Sequence, residues 1–168
     1  MDDLETIARE IASLPHDENE FTSPQYEQDE FPLFFDAVRD GVSNLGFELS
    51  SGREFESGVR AGKFELQTHS VSVREHTDDV VSPSYFGIVV LNTTTRGIKY
   101  SYDSLATFTG YGVRGKYTRE LEVGRLMVFN PRKPHSLSYY GEVVTLALYS
   151  VRPIRGETHW CVPVTHII

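Results

Sequence analysis

Three residues carry chemistry in their types and spacing. His76 and Asp78 stand two apart in the segment EHTDD. On extended chain, side chains two apart project to the same side, so an imidazole and a carboxylate there can share one cation. His135 follows the turn NPRKP, 59 residues after His76. Two neutral imidazoles and one carboxylate on one face of a metal leave three positions open, which is the ligand set of non-haem Fe(II) oxygenases. Asp79 is an alternative carboxylate, but the same-side rule favours Asp78; Glu75 is expected to face away and be solvated. His69, seven residues before His76, reads either as a pocket residue or as a hydrogen-bonded structural one. His16 and His166 read as surface residues, and His159, beside Trp160 and Cys161, belongs to no metal motif.

The elements that must position these residues follow from hydrophobic period. Leu4, Ile7, Ala8, Ile11 and Leu14 have helical spacing that stops at Pro15. Residues 15–31 are acidic and polar with two prolines, and read as a loop. A second helix is expected over 32–45, with Pro32 in its first turn and Gly46 at its C-terminal cap. Beyond Gly46 the period changes. Short runs rich in Val, Ile, Tyr, Phe, Thr and Leu cover 62–75, 85–92, 96–102, 106–113, 116–121, 125–130, 135–140 and 143–151, separated by turn material. Short strands at regular spacing predict a sandwich or barrel rather than βαβ units. The segment Thr109–Thr118, with Arg114 and Lys116, reads equally as a lid over a barrel mouth or as a hairpin turn. The last segment, RPIRGETHWCVPVTHII, is apolar enough to be ordered, with no clear placement.

The chain of 168 residues is long enough for one domain with a real core. Its single cysteine, Cys161, excludes a disulfide framework and multi-cysteine metal sites. No apolar run reaches the roughly 18 residues of a membrane helix, and the acidic N-terminus is neither a signal nor a transit peptide; a cytoplasmic location is expected. The net charge of −8 is uneven. Residues 1–30 hold ten acids and one base, whereas residues 96–155 hold ten bases and four acids. The second half could face an anionic ligand or substrate.

The region from Phe64 to Val151 resembles the double-stranded β-helix of the 2-oxoglutarate-dependent Fe(II) oxygenases. The resemblance rests on HTDD, YFGIVVLN, RGIKYSYD, LEVGRLMVFNPRKPH and SLSYYGEVVTLALYSV, in that order. It implies a jelly-roll core; with the two helices read from period, the expectation is a mainly β fold with N-terminal helices (α+β), the core over residues 47–168 and the acidic helical region 1–46 packed on it as part of one globular domain. It also implies that His76, Asp78 and His135 hold Fe(II), that 2-oxoglutarate and O2 are co-substrates, and that the reaction is a dioxygenation, a hydroxylation in particular. The commonest branch pairs the far carboxylate of 2-oxoglutarate with an arginine, but that position looks like Val143 here, with Thr145 at the accompanying hydroxyl position. Lys99, on the strand RGIKYSYD with Tyr100 and Tyr102, resembles the lysine that does this task in the asparaginyl-hydroxylase and Jumonji branches. Arg152 is the second candidate.

Two other classes stay open on the residues. One is a cupin-type metalloprotein that uses the same ligands without 2-oxoglutarate, which the missing arginine favours. The other is a non-catalytic β-sandwich binding module whose acidic first thirty residues form the interaction surface. The substrate is not named by any motif: a small molecule, a nucleotide or nucleic acid, and a peptide all fit. No membrane partner is expected.

Overall fold

The computed structural model describes residues 3–19, 24–50, 59–79, 84–95, 106–112, 114–155 and 162–168. Helix α1 (Leu4–Ala12) starts at Asp3, whose side chain accepts a hydrogen bond from the Thr6 amide. Helix α2 (Pro32–Asn44) has proline at its start. It ends at Gly46, whose φ of 87° permits the left-handed turn that an L side chain resists. The stretch expected to be loop holds a short strand, β1 (Gln25–Glu27), and a 3-10 turn over Gln28–Glu30. Short β2 (Phe47–Leu49) follows α2.

Among the described residues eight further strands build the core: β3 (Lys63–His69), β4 (Val73–His76), β5 (Tyr85–Thr95), β6 (Thr107–Gly112), β7 (Gly115–Glu120), β8 (Arg125–Phe129), β9 (His135–Ser138) and β10 (Glu142–Pro153). They divide between two antiparallel sheets. The larger runs β1-β3-β10-β5-β8, with β2 on the far end of β10 and a last strand, β11 (Val164–His166), beside β8. The smaller runs β4-β9-β6-β7. The first strand of the eight pairs with the eighth, the eighth with the third and the third with the sixth; in the other sheet the second pairs with the seventh, the seventh with the fourth and the fourth with the fifth. That order is the jelly roll, or double-stranded β-helix.

The strand between residues 62 and 75 is thus two strands, in different sheets. The expected strand over 96–102, with Lys99, lies outside the described residues, as do His159, Trp160 and Cys161. The Thr109–Thr118 segment is a tight hairpin: β6 and β7 pair from Thr107↔Glu120 to Gly112↔Gly115, so its described residues are sheet rather than a lid.

Two cores result. On the outer face of the large sheet, Phe64, Leu66, Val89, Leu126, Val128, Ala147, Tyr149 and Val151 pack against Ile7, Ala8 and Ile11 of α1 and Phe34, Val38 and Val42 of α2. Between the sheets lie Phe86, Ile88, Val90, Phe108, Met127, Phe129, Val144, Leu146 and Leu148. Both faces of β5 and β10 are therefore covered, and every residue from Val144 to Val151 is buried. No described helix is long and apolar enough to cross a membrane.

Candidate metal centre

The smaller sheet carries the site. His76 ends β4 and His135 begins β9, and the two are direct cross-strand partners, ring centroids 4.4 Å apart. The turn 130–134 delivers His135 and also anchors Asp78, whose backbone N–H donates to the Pro131 carbonyl at 2.8 Å. Within the turn, the Asn130 side chain accepts from the Arg132 amide at 3.0 Å, and the Lys133 amide donates to the Asn130 carbonyl at 3.1 Å. One tight turn thus sets two of the three candidate ligands.

Asp78 Oδ1 stands 3.5 Å from His76 Nε2, and Oδ2 stands 3.1 Å from His135 Nε2. One donor atom from each of the three residues lies within 4.8 Å of the others. Ligands on one octahedral face, each about 2.1 Å from a common ion, lie about 3 Å apart, so the carboxylate-to-imidazole spacings suit a shared divalent ion. The histidines are oriented for the same task. His76 Nδ1 meets the Arg74 carbonyl at 2.7 Å, and His135 Nδ1 meets the Lys133 carbonyl at 2.9 Å. A carbonyl can only accept, so each Nδ1 carries the proton, and in the neutral ring each Nε2 presents its lone pair to the site. The donor set and its outer hydrogen bonds fit a metal such as Fe(II) or Zn(II).

Burial is graded across the site. The His135 side chain is 6% exposed, while those of His76 and Asp78 are 40% and 36% exposed. Phe129 and Phe108 back the His135 ring, with centroids 4.8 and 6.2 Å away. A cavity of about 320 Å³ opens onto the three residues. Its walls are Phe86, Ile88, Phe108, Phe129, Leu137, Leu146 and Leu148 on the apolar side, and Glu65, Gln67, His69 and Asp79 on the polar side. A second cavity of about 520 Å³, lined by Asn19, Val71, Ser72 and Arg74, shares His69, Val73 and His76 with the first. The two cavities therefore adjoin along β4.

Other residues singled out from sequence lie elsewhere. Thr145 is on the opposite face of β10 from Leu146 and Leu148: its hydroxyl is 2.8 Å from that of Thr68, which in turn bonds His16 Nε2. It cannot serve a ligand in the cavity, because the sheet stands between. His16 is not a bare surface residue, since its Nδ1 donates to the Leu14 carbonyl at 2.6 Å. Arg152 pairs with Glu48 at 2.6 Å at the β2 end of β10 and does not line the cavity. Glu75 is exposed, as expected, and His166 lies 3.8 Å from Glu122 at the surface. Asp79 lines the cavity outside the triad. His69 is both of its alternatives at once: a cavity residue, and a buried ring hydrogen-bonded to Gln67 and stacked on Tyr139. Burial holds its pKa below the ordinary histidine value.

Glu65 and Gln67 escaped the sequence reading. The signal was present in KFELQTH, where polar and apolar residues alternate, but such alternation ordinarily marks the polar face as solvated.

No protein-family model matches the sequence, and no curated protein is significantly similar to it. Among solved structures the chain is similar to vicilin from Corylus avellana (hazelnut), at 11% identity over 62% of this chain and 26% of that one, with a TM-score of 0.34. It is also similar to the 7S globulin of Momordica charantia, at 12% identity over 84% of this chain and 37% of that one, with a TM-score of 0.36. The chain thus spans well under half of the length of these proteins. At these scores the likeness adds nothing to the strand order already described.

Proposed function

We propose that this chain is a jelly-roll metalloenzyme that holds one Fe(II) ion with His76, Asp78 and His135 and oxidises a small organic molecule with O2. One observation carries the reading: two imidazoles with their Nε2 lone pairs fixed by backbone carbonyls converge with one carboxylate at the end of a cavity. When bound by such a set, Fe(II) supplies open ligand positions and electrons for O2 chemistry. The chain's own part is to hold, orient and shield. The Arg74 and Lys133 carbonyls fix the tautomers, the turn at Pro131 sets the carboxylate, and Phe86, Ile88, Leu146 and Leu148 keep water from the carbon part of a ligand.

Two versions of this enzyme differ in one partner. In the 2-oxoglutarate-dependent version, a dioxygenase, Lys99 pairs with the far carboxylate of the co-substrate. In the cupin-type version no 2-oxoglutarate takes part. The described residues lining the inner cavity include Glu65 and Asp79 and no Lys or Arg, so the first version needs Lys99 or another residue outside them to supply the cation. A buried dicarboxylate without a cation is costly by several kcal/mol.

Anaerobic titration of the metal-free protein with Fe(II) tests the shared reading. We expect one ion per chain, lost in His76→Ala, Asp78→Ala and His135→Ala; equal affinity in all four proteins would overturn it. Adding 2-oxoglutarate and then O2 separates the versions. A weak visible charge-transfer band followed by succinate supports the first, and O2 uptake with neither supports the second.

A further inference from the structure

The inner wall of β3 is polar where its neighbours are apolar. Phe64 and Leu66 enter the outer core, and Glu65, Gln67 and His69 face the cavity beside Leu146 and Leu148 of β10. The three polar side chains form a chain of hydrogen bonds. Gln67 Nε2 donates to Glu65 Oε2 at 2.6 Å, so Gln67 Oε1 is left to accept from His69 Nε2 at 2.9 Å. The His69 ring is clamped against Tyr139, centroids 5.7 Å apart and planes 11° apart. The ladder is therefore rigid and has one polarity, with a carboxylate as its terminal acceptor. Glu65 Oε1 has no partner among the described residues.

Neither the fold nor the metal centre accounts for it. Three apolar residues would close this wall at lower cost, because a carboxylate drawn from water needs a partner. Burial raises the Glu65 pKa, the hydrogen bond from Gln67 opposes the rise, and the Asp78 charge adds to it. No cationic side chain among the described residues lines this cavity; Arg74 lies exposed in the outer one.

We propose that the Glu65–Gln67–His69 ladder is the substrate-recognition wall of the site and takes the ammonium head of a small amine. The Glu65 carboxylate pairs with the head, Gln67 and His69 hold that carboxylate in place, and Phe86, Ile88, Leu146 and Leu148 hold the carbon chain. A volume of about 320 Å³ suits an amine of modest size. The inference rests on the metalloenzyme reading, which supplies the reacting centre.

The probes are n-pentylamine, n-pentanol and pentanoate, titrated into Zn(II)-loaded protein and followed by calorimetry and ligand-observed NMR. Wild type is expected to bind the amine at least tenfold more tightly than the alcohol or the acid. Glu65→Gln should lose that preference while its Zn(II) affinity stays within about twofold. Tighter pentanoate binding, or equal amine affinity in Glu65→Gln as from an amine resting on the metal alone, would overturn the proposal. The wild-type preference is readable even if the variant folds poorly. Amine preference without metal binding would sink the metalloenzyme reading and keep the wall; metal binding without amine preference would do the reverse.

Discussion

Replacing Asp78 by asparagine removes one negative charge from the triad and little else. The backbone hydrogen bond to Pro131 stays, as does a side-chain oxygen of similar reach. An anionic oxygen about 2.1 Å from a dication interacts with it by about 4 kcal/mol even at the dielectric of water. The Asp78 side chain is 36% exposed, so the water value is a floor. The amide oxygen recovers part of the loss, and the expected weakening of metal binding is roughly hundredfold or more. Asp79→Asn is the matched control, with the same charge lost from the next residue in the same cavity wall but outside the triad; it should cost less than about fivefold, from long-range attraction alone. Calorimetric titration with Zn(II) or Mn(II) measures both, and the d–d spectrum of Co(II) reports whether the ligand set has changed. Comparable losses in the two variants would mean that the metal feels only the general field of the loop. No loss in either would place the ion elsewhere.

Thr68→Val strands the His16 ring and the Thr145 hydroxyl in a largely buried network and should cost about 1–3 kcal/mol of stability. Metal affinity should be unchanged, because this network is on the far side of the sheet; a denaturant melt with a metal titration checks both, and a metal defect would refute the face assignment. Gly110 lies beside His135 in the register, and a methyl group there would stand 2.9 Å from Phe108 Cε1 and 3.1 Å from Val162 Cγ2. Gly110→Ala should therefore cost about 1–3 kcal/mol and weaken metal binding through the Phe108–His135 stack; an unchanged melting temperature would contradict the packing. His69 is held neutral by burial, so the unfolded chain takes its proton first as pH falls below the ordinary value of 6.5. Stability should fall below that pH, by up to about 1.4 kcal/mol per unit, until the lowered folded value is reached. His69→Gln, which keeps a donor to Gln67, should lose that part of the slope; identical pH profiles would refute the assignment.

Much of this was legible locally. The helix boundaries at Pro32 and Gly46 rest on capping and dihedral rules that act within a few residues. The triad was legible because His76 and Asp78 share a side by their spacing, and because the NPRKP turn announces a new strand at His135. Thr145 was misplaced for a definite reason. From Val144 to Val151 every residue is buried, so hydrophobic alternation cannot say which side of β10 faces the cavity. Parity there is set by pairing with Thr68 and Asn92 in the flanking strands, including a register shift between Thr145 and Leu146. The 3-residue strands β1, β2 and β11 were invisible because each owes its pairing to a partner distant in sequence.

The same logic explains why the ladder on β3 hides in plain sight. In an open antiparallel sheet the polar side of an alternating strand is the wet side. Here the apolar side is covered: Phe64 and Leu66 join the core that α1 and α2 share, and Phe64 meets Tyr26, Phe31 and Tyr149. The polar side must then face the other sheet. At β3 that sheet offers Val73, His76 and Leu137, with a cavity in place of close packing. A polar row turned inward at a cavity is a cost to the fold that apolar residues would avoid, and it stands beside the three residues best suited to hold a metal. The two features meet in one volume because the short sheet brings the ligands and the long sheet brings Glu65, Gln67 and His69. If the metal and amine proposals both hold, the reacting centre lies on one wall of this cavity and the oriented acceptor on the other.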